Sequence, residues 1–172
     1  GDMHPVYVPL EPGAGGYAYC AGEGFLRAIR EHENAAAVVV TRPDYYGGMV
    51  PLGRIAAAAR ERGMRLLVDE AHGAHLPFLG KDLSAGAWGA DLWVQSAHKT
   101  LPALTAGALL HLAPGEDAEK ARRLLRMVQT SSPPFYVLQS LDDARAWMEA
   151  HGRQALGALQ DALGLFRTKL QA

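Results

Sequence analysis

Leu66-Leu67-Val68-Asp69-Glu70-Ala71-His72-Gly73-Ala74-His75 decides the fold, because an apolar run ending in two carboxylates reads as a buried strand that delivers acidic side chains at its carboxyl end. Immediately upstream, an Ala-rich helix from Leu52 to about Arg62 stops at Gly63. Before the Arg42–Gly48 turn, Ala36-Ala37-Val38-Val39-Val40 is expected to be a strand buried on both faces. Phe25, Leu26 and Ile29 have the spacing of a helix leading into it. Further back, Pro5-Val6-Tyr7-Val8-Pro9 reads as a short strand followed by a glycine-rich loop, Gly13 to Gly16. Downstream, Asp91-Leu92-Trp93-Val94-Gln95 and Gly107-Ala108-Leu109-Leu110-His111-Leu112 read as two more strands. Helices alternating with apolar strands predict an α/β architecture with a mainly parallel sheet, whose ligands sit beyond the strands' carboxyl ends.

From Glu116 onward the pattern is helical, with a break at Thr130-Ser131-Ser132-Pro133-Pro134. Leu156, Leu159, Leu163, Phe166 and Leu170 then form an apolar stripe at spacings of three and four. That stripe either packs on this domain or faces a further domain or a second subunit. The pattern divides the chain into an α/β domain over 1–150 and an amphipathic helix over 151–172.

Bulk composition narrows the function classes. With 17 basic and 18 acidic residues in 172, the net charge of -1 gives no electrostatic reason to capture nucleic acid or an anionic membrane. No apolar run approaches the roughly 20 residues of a membrane span. A small molecule is the expected partner. Cys20 is the only cysteine, which rules out an intrachain disulfide and fits a reducing compartment, so the chain is read as cytoplasmic. It starts at Gly1 rather than Met, as a processed protein or a piece of a longer one would.

The acidic pair could serve a nucleotide-driven motor, in which an Asp-Glu-Ala-His box holds magnesium. That chemistry needs a Gly-x-x-x-x-Gly-Lys-Ser/Thr loop upstream to cradle phosphates, and the sequence has none. His72 and His75 could ligate a metal, but zinc hydrolases place their histidines four apart with the Glu between. Here the separation is three and Glu70 precedes both, so no metal is expected.

A third reading comes from Asp91-Leu92-Trp93-Val94-Gln95-Ser96-Ala97-His98-Lys99-Thr100-Leu101-Pro102, a strand ending in a polar cluster. A lysine at one strand end and an aspartate at another fit pyridoxal 5'-phosphate. The lysine forms the Schiff base, and the carboxylate pairs with the pyridinium nitrogen and keeps it protonated, which strengthens the ring as an electron sink. Lys99 must lose a proton to attack an aldehyde, and burial near His98 and a cationic ring would favour that. Ser96 and His98 either hold a phosphate or cap the strand end.

The residues that settle between these readings form an ordered set. Pro5-Val6-Tyr7-Val8-Pro9, Val40-Thr41-Arg42-Pro43-Asp44-Tyr45-Tyr46-Gly47, the Leu67–His75 segment, Gln95–Thr105 and Gln129-Thr130-Ser131-Ser132-Pro133 follow one another across about the first 145 residues. In this order they resemble the major domain of the bacterial Orn/Lys/Arg decarboxylases, fold-type I pyridoxal-phosphate enzymes. The resemblance implies a partial three-layer α/β domain built on a mostly parallel, seven-stranded sheet. It implies Lys99 as the Schiff-base lysine, Asp69 as the pyridinium partner, Ala71 packed under the ring, and Ser96 and His98 on the phosphate. His72 would lie near the ring or the substrate carboxylate, with Thr41 and Tyr45 at a neighbouring strand end.

The activity implied is α-decarboxylation of lysine, ornithine or arginine to a polyamine precursor, with His72 or Lys99 returning a proton to the α carbon. A homodimer or higher homo-oligomer is the expected assembly. An upstream phosphate-holding turn, a ring-stacking histidine and a C-terminal domain are expected outside this stretch. Thr130-Ser131-Ser132-Pro133-Pro134 departs from the family's Thr-Ser-Pro-Ser-Tyr run near the subunit interface. The competing reading is a non-catalytic fragment that serves only as a folding or oligomerisation unit.

Overall fold

The computed structural model describes residues 3–13, 18–79 and 83–171. A four-stranded sheet carries the architecture: β3 (Ala37–Thr41), β4 (Arg65–Asp69), β5 (Leu92–Gln95) and β6 (Leu109–Leu112), side by side in that order. The β3–β4 and β4–β5 pairs are parallel and β5–β6 is antiparallel, so two of the three pairings follow the expected direction. Four strands stand here against the seven implied for a complete domain.

Helices α1 (Gly22–Glu31) and α2 (Leu52–Glu61) cover one face of the sheet. Phe25, Leu26 and Ile29 from α1 and Leu52, Ile55, Ala56 and Ala59 from α2 meet Val40, Leu66 and Val68 in a single core. Ile55 is fully buried, and removing a side chain of that size from water contributes about 1.5 to 3 kcal/mol. Gly63, at φ +67, takes the left-handed turn that ends α2, a conformation that costs glycine nothing sterically.

The opposite face is open, and this corrects the expectation for Val38-Val39-Val40. Val40 is 1% exposed but Val39, one residue earlier, is 65% exposed. Successive side chains on a strand point to opposite faces, and among the described residues helices cover only one of the two faces. Val94 and Leu110, register partners on the same open face as Val39, are also exposed.

Three other segments differ from expectation. Pro5–Pro9 is irregular: the strand β1 (Leu10–Pro12) begins just after Pro9 and pairs antiparallel with β2 (Ala18–Cys20). Pro5 and Pro9 each remove a ladder donor, which weakens strand pairing over that stretch. Of the glycine-rich loop, residues 14–17 lie outside the described residues. The helical region resolves into α4 (Ala118–Val128), α5 (Phe135–Trp147), a π turn (Met148–Gly152) and α6 (Arg153–Gln171), with the expected break between α4 and α5. Met148 and Gly152 are buried near Phe78, whereas Leu159, Leu163, Phe166 and Leu170 are exposed. The packing contact is therefore made by the π turn and the start of α6, which meet the 3₁₀ turn Leu76–Leu79 and leave Leu156 half-buried, while the rest of the α6 stripe does not cover this domain. Among the described residues no helix is long and apolar enough to cross a membrane.

Candidate functional site

The parallel strands end level with one another. Thr41 pairs with Asp69, and Asp69 pairs with Val94, so the carboxyl ends of β3, β4 and β5 form one rim. The rim is tied by Arg42 N donating to the Asp69 carbonyl and Glu70 N donating to the Val94 carbonyl, both at 2.9 Å. At the other end of the sheet, Asp91 Oδ2 accepts from Leu66 N, and its Oδ1 accepts from Arg65, which also reaches Glu116. β4 and β5 are thus fixed relative to each other at both ends.

Each strand hands a loop to the rim. After β4, Asp69 Oδ1 accepts from Ala71 N at 3.0 Å, a local turn that holds the half-buried carboxylate in place. After β5, Ser96, His98 and Lys99 lie in and just before the short helix α3 (Ala97–Thr100). Ser96 makes no capping hydrogen bond, so its reading as a strand-end cap is not realised. His98 Nδ1 lies 2.8 Å from the Gly107 carbonyl. A carbonyl only accepts, so Nδ1 carries the proton, and Nε2 can donate to an anion only when the ring is an imidazolium.

After β3, the Tyr45 ring stands edge-on to His72 with centroids 5.7 Å apart. The structure therefore gathers Thr41 with Asp69, Tyr45 with His72, and Ser96, His98 and Lys99 in one turn on the adjacent strand. It does not bury Lys99, whose side chain is exposed, so the described residues do not supply the burial expected there. The donor and acceptor set fits pyridoxal phosphate: a carboxylate with one oxygen held by the backbone, a reachable primary amine, and a hydroxyl and an imidazole for the phosphate.

Sequence reasoning missed four residues beneath the rim. Glu70 is completely buried and takes hydrogen bonds from Ser84 Oγ, Ala85 N and Gln95 Nε2. Arg42, 5% exposed, donates to the Val50 and Leu83 carbonyls. His111 bonds Gln95 and stacks on Trp93. The available signal was strand alternation: if Asp69 faces the open side, Glu70 must face the core.

His75 does not join His72 at a shared ligand. Its Nδ1 is buried without a hydrogen-bond partner among the described residues, and burial pushes the imidazole below its ordinary value of 6.5. The folded chain thus disfavours the charged form of His75. Below that ordinary value the unfolded chain takes up the proton first, so stability falls as pH drops towards the lower folded value. His111 shifts the same way through burial, while burial raises Glu70, which opposes the trend because the folded chain binds that proton first. His75→Asn is expected to flatten the fall in Tm between about pH 7.5 and 5.5; an unchanged slope would show that His75 contributes nothing to it.

Comparison with known proteins gives concordant matches. The family model for the Orn/Lys/Arg decarboxylase major domain matches residues 16–171. The uncharacterized protein YaaO of Bacillus subtilis is 43% identical over 153 residues, covering 86% of this chain and 29% of its own length. An arginine decarboxylase of Bacillus subtilis is 36% identical over 134 residues, covering 77% of this chain and 27% of its own. The chain spans under a third of the length of the curated relatives it matches. Among solved structures, the constitutive lysine decarboxylase of E. coli aligns over 97% of this chain and 26% of its own, with a TM-score of 0.73 at 24% identity. SPT solved with PLP aligns over 80% and 36%, with a TM-score of 0.61 at 22% identity. These structural likenesses give the fold.

Proposed function

The chain belongs to the Orn/Lys/Arg decarboxylase family, and from that premise we propose that it carries the core of a pyridoxal-phosphate site for α-decarboxylation of a basic amino acid. The observation that supports this reading most is the level rim of β4 and β5, which places Asp69 and the turn bearing Lys99 on neighbouring parallel strand ends. When bound, pyridoxal phosphate supplies an aldehyde for the substrate amine and a ring that accepts the electron pair left by carbon dioxide.

This chain's residues do the rest. The Asp69 carboxylate would hold a proton at the ring nitrogen, and the Lys99 amine would be the group that attaches the aldehyde and gives it up to the substrate amine. Ser96 and His98 would anchor the phosphate, and Ala71 would lie against the ring. His72, braced by the Tyr45 ring, or Lys99 returns a proton to the substrate's α carbon. Thr41, in register with Asp69, completes the rim. Named relatives include arginine decarboxylases, and the fold matches a lysine decarboxylase, so arginine, lysine and ornithine are the substrates to screen. The open sheet face and the exposed α6 residues support a homodimer or higher homo-oligomer, and the single Cys20 fits a cytoplasmic setting.

Covalent trapping tests the reading. The chain is incubated with pyridoxal phosphate, reduced with borohydride and digested, and the modified lysine is located by mass spectrometry. The sequence offers four candidates: Lys81, Lys99, Lys120 and Lys169. A single adduct on Lys99 is expected. Labelling spread over all four would sink the site and favour a non-catalytic folding unit.

A further inference from the structure

Glu70 is the most deeply buried charged group described, and the proposed chemistry gives it nothing to do. Strand alternation points it away from Asp69, into the core, so it touches neither cofactor nor substrate. Carboxylates are rarely buried unless paired, because desolvation of the charge is costly. What surrounds Glu70 is a complete set of partners. Ser84 Oγ donates to Oε2 at 2.9 Å and Ala85 N donates to Oε1 at 2.7 Å, both from the start of the 3₁₀ turn Ala85–Trp88. Gln95 Nε2 donates to Oε2 at 2.6 Å.

Gln95 is itself oriented from behind. Its Oε1 lies 3.0 Å from His111 Nε2, so an Nε2–H donor on β6 fixes which end of the amide faces Glu70. His111 is held flat against Trp93, with centroids 4.9 Å apart and planes 6° apart. Arg42, on β3's side of the same face, favours the carboxylate through space without an ion pair among the described residues, although burial outweighs it and pushes the Glu70 carboxyl up. Gly73 lies so close to the Glu70 side chain that a Cβ there would strike its Cγ. The chain from His111 through Gln95 to Glu70 therefore crosses three adjacent strands just beneath the rim.

We propose that Glu70 is a positioning residue: as a carboxylate clamped to Gln95, it fixes the end of β5, and so the Ser96–Lys99 turn, against the end of β4 that carries Asp69. What is positioned rests on the proposed function; the clamp itself does not. Gln95 is the last residue of β5, and Ser96, His98 and Lys99 follow within four positions, so motion at Gln95 is passed directly to the amine.

Two near-isosteric variants test this. Glu70→Gln keeps the shape and can keep hydrogen bonds to Ser84 and Ala85 while losing the charge. Gln95→Met cuts the link to β5 and leaves Glu70 its other donors. Amide hydrogen exchange in the cofactor-free chain is expected to rise roughly tenfold or more over 94–101 in either variant, matching the loss of one charge-assisted hydrogen bond. Exchange in α1 and α2 is expected to stay as in the unsubstituted chain, and Lys99 labelling by pyridoxal phosphate to slow by a similar factor. Should Glu70→Gln fail to fold, Gln95→Met decides. Unchanged exchange over 94–101, or a uniform rise that includes α1 and α2, would overturn the positioning role and leave Glu70 as a general stabiliser. If the unsubstituted chain is not labelled at Lys99, the proposed function fails while the exchange result still decides the clamp.

Discussion

Replacing Lys99 with alanine is expected to abolish the borohydride-trapped pyridoxal phosphate adduct, bringing labelling at that peptide to background. The expectation rests on selectivity rather than on the reactivity of lysine in general. Lys120 and Lys169 lie on the exposed helices α4 and α6, where nothing distinguishes one ammonium from another. Lys99 alone among the described lysines follows a strand whose parallel neighbour ends in a carboxylate, with a serine hydroxyl and an imidazole within three residues. Each of those groups has a complementary partner on the cofactor, so binding holds the aldehyde beside one amine and raises its effective concentration there.

The variant should fold. Lys99 is exposed, and substitutions at such positions usually change stability by no more than about 0.5 kcal/mol. Lys99→Arg is the companion control, keeping the positive charge but not the primary amine, and it too should show no adduct. An adduct that persists at full yield in the alanine variant, on any other lysine, would remove Lys99 from the site.

The parts of the fold read from sequence are those where local pattern and tertiary environment agree. Helices α1 and α2 and strands β3 to β5 lie where apolar spacing placed them, and Gly63 ends α2 as its position suggested. Pattern failed where the outcome depended on what covers a surface. Val38-Val39-Val40 looks the same whether one face or both are buried, and Val39 proved exposed. The α6 stripe is only partly used here: Leu156 is half-buried where α6 starts beside the Leu76–Leu79 turn, and Leu159, Leu163, Phe166 and Leu170 stay exposed. No residue pattern marks the antiparallel direction of β6, since the segment between β5 and β6 is long enough for either direction.

The site divides in the same way. Asp69 and Lys99, the residues proposed to hold the cofactor, were legible as candidates because one ends an apolar strand and the other lies four residues past the end of the next. Glu70 was half-legible: it was noticed as one of an acidic pair, but only strand alternation assigns it to the other face. Gln95, His111 and Arg42 were not legible as a unit, since they come together across three strands from positions up to 69 residues apart, His111 minus Arg42. A network with no local sequence spacing leaves no motif to read.

Asp69→Ala carries the second large effect, and it separates capture from turnover. Covalent attachment needs the Lys99 amine and a held aldehyde, and neither depends on the carboxylate at the ring nitrogen. The adduct on Lys99 is therefore expected to survive, at reduced yield. Decarboxylation depends on how well the ring takes up the electron pair of the broken carbon–carbon bond, and that depends on a protonated ring nitrogen. Removing the charge that holds this proton takes away a preorganised electrostatic contact, an effect on the order of 100- to 1,000-fold in comparable sites. Carbon dioxide release from arginine, lysine or ornithine should fall by at least the lower figure. Asp69→Asn sharpens the test, because it preserves the size of the side chain, and its amide oxygen can still accept from Ala71 N as Asp69 Oδ1 does, while the negative charge is lost. Equal losses in the alanine and asparagine variants, with the adduct intact in both, would place the effect in the charge. Loss of the adduct in both would instead make Asp69 a binding residue, and retention of full turnover in the asparagine variant would dismiss the carboxylate as the ring partner altogether.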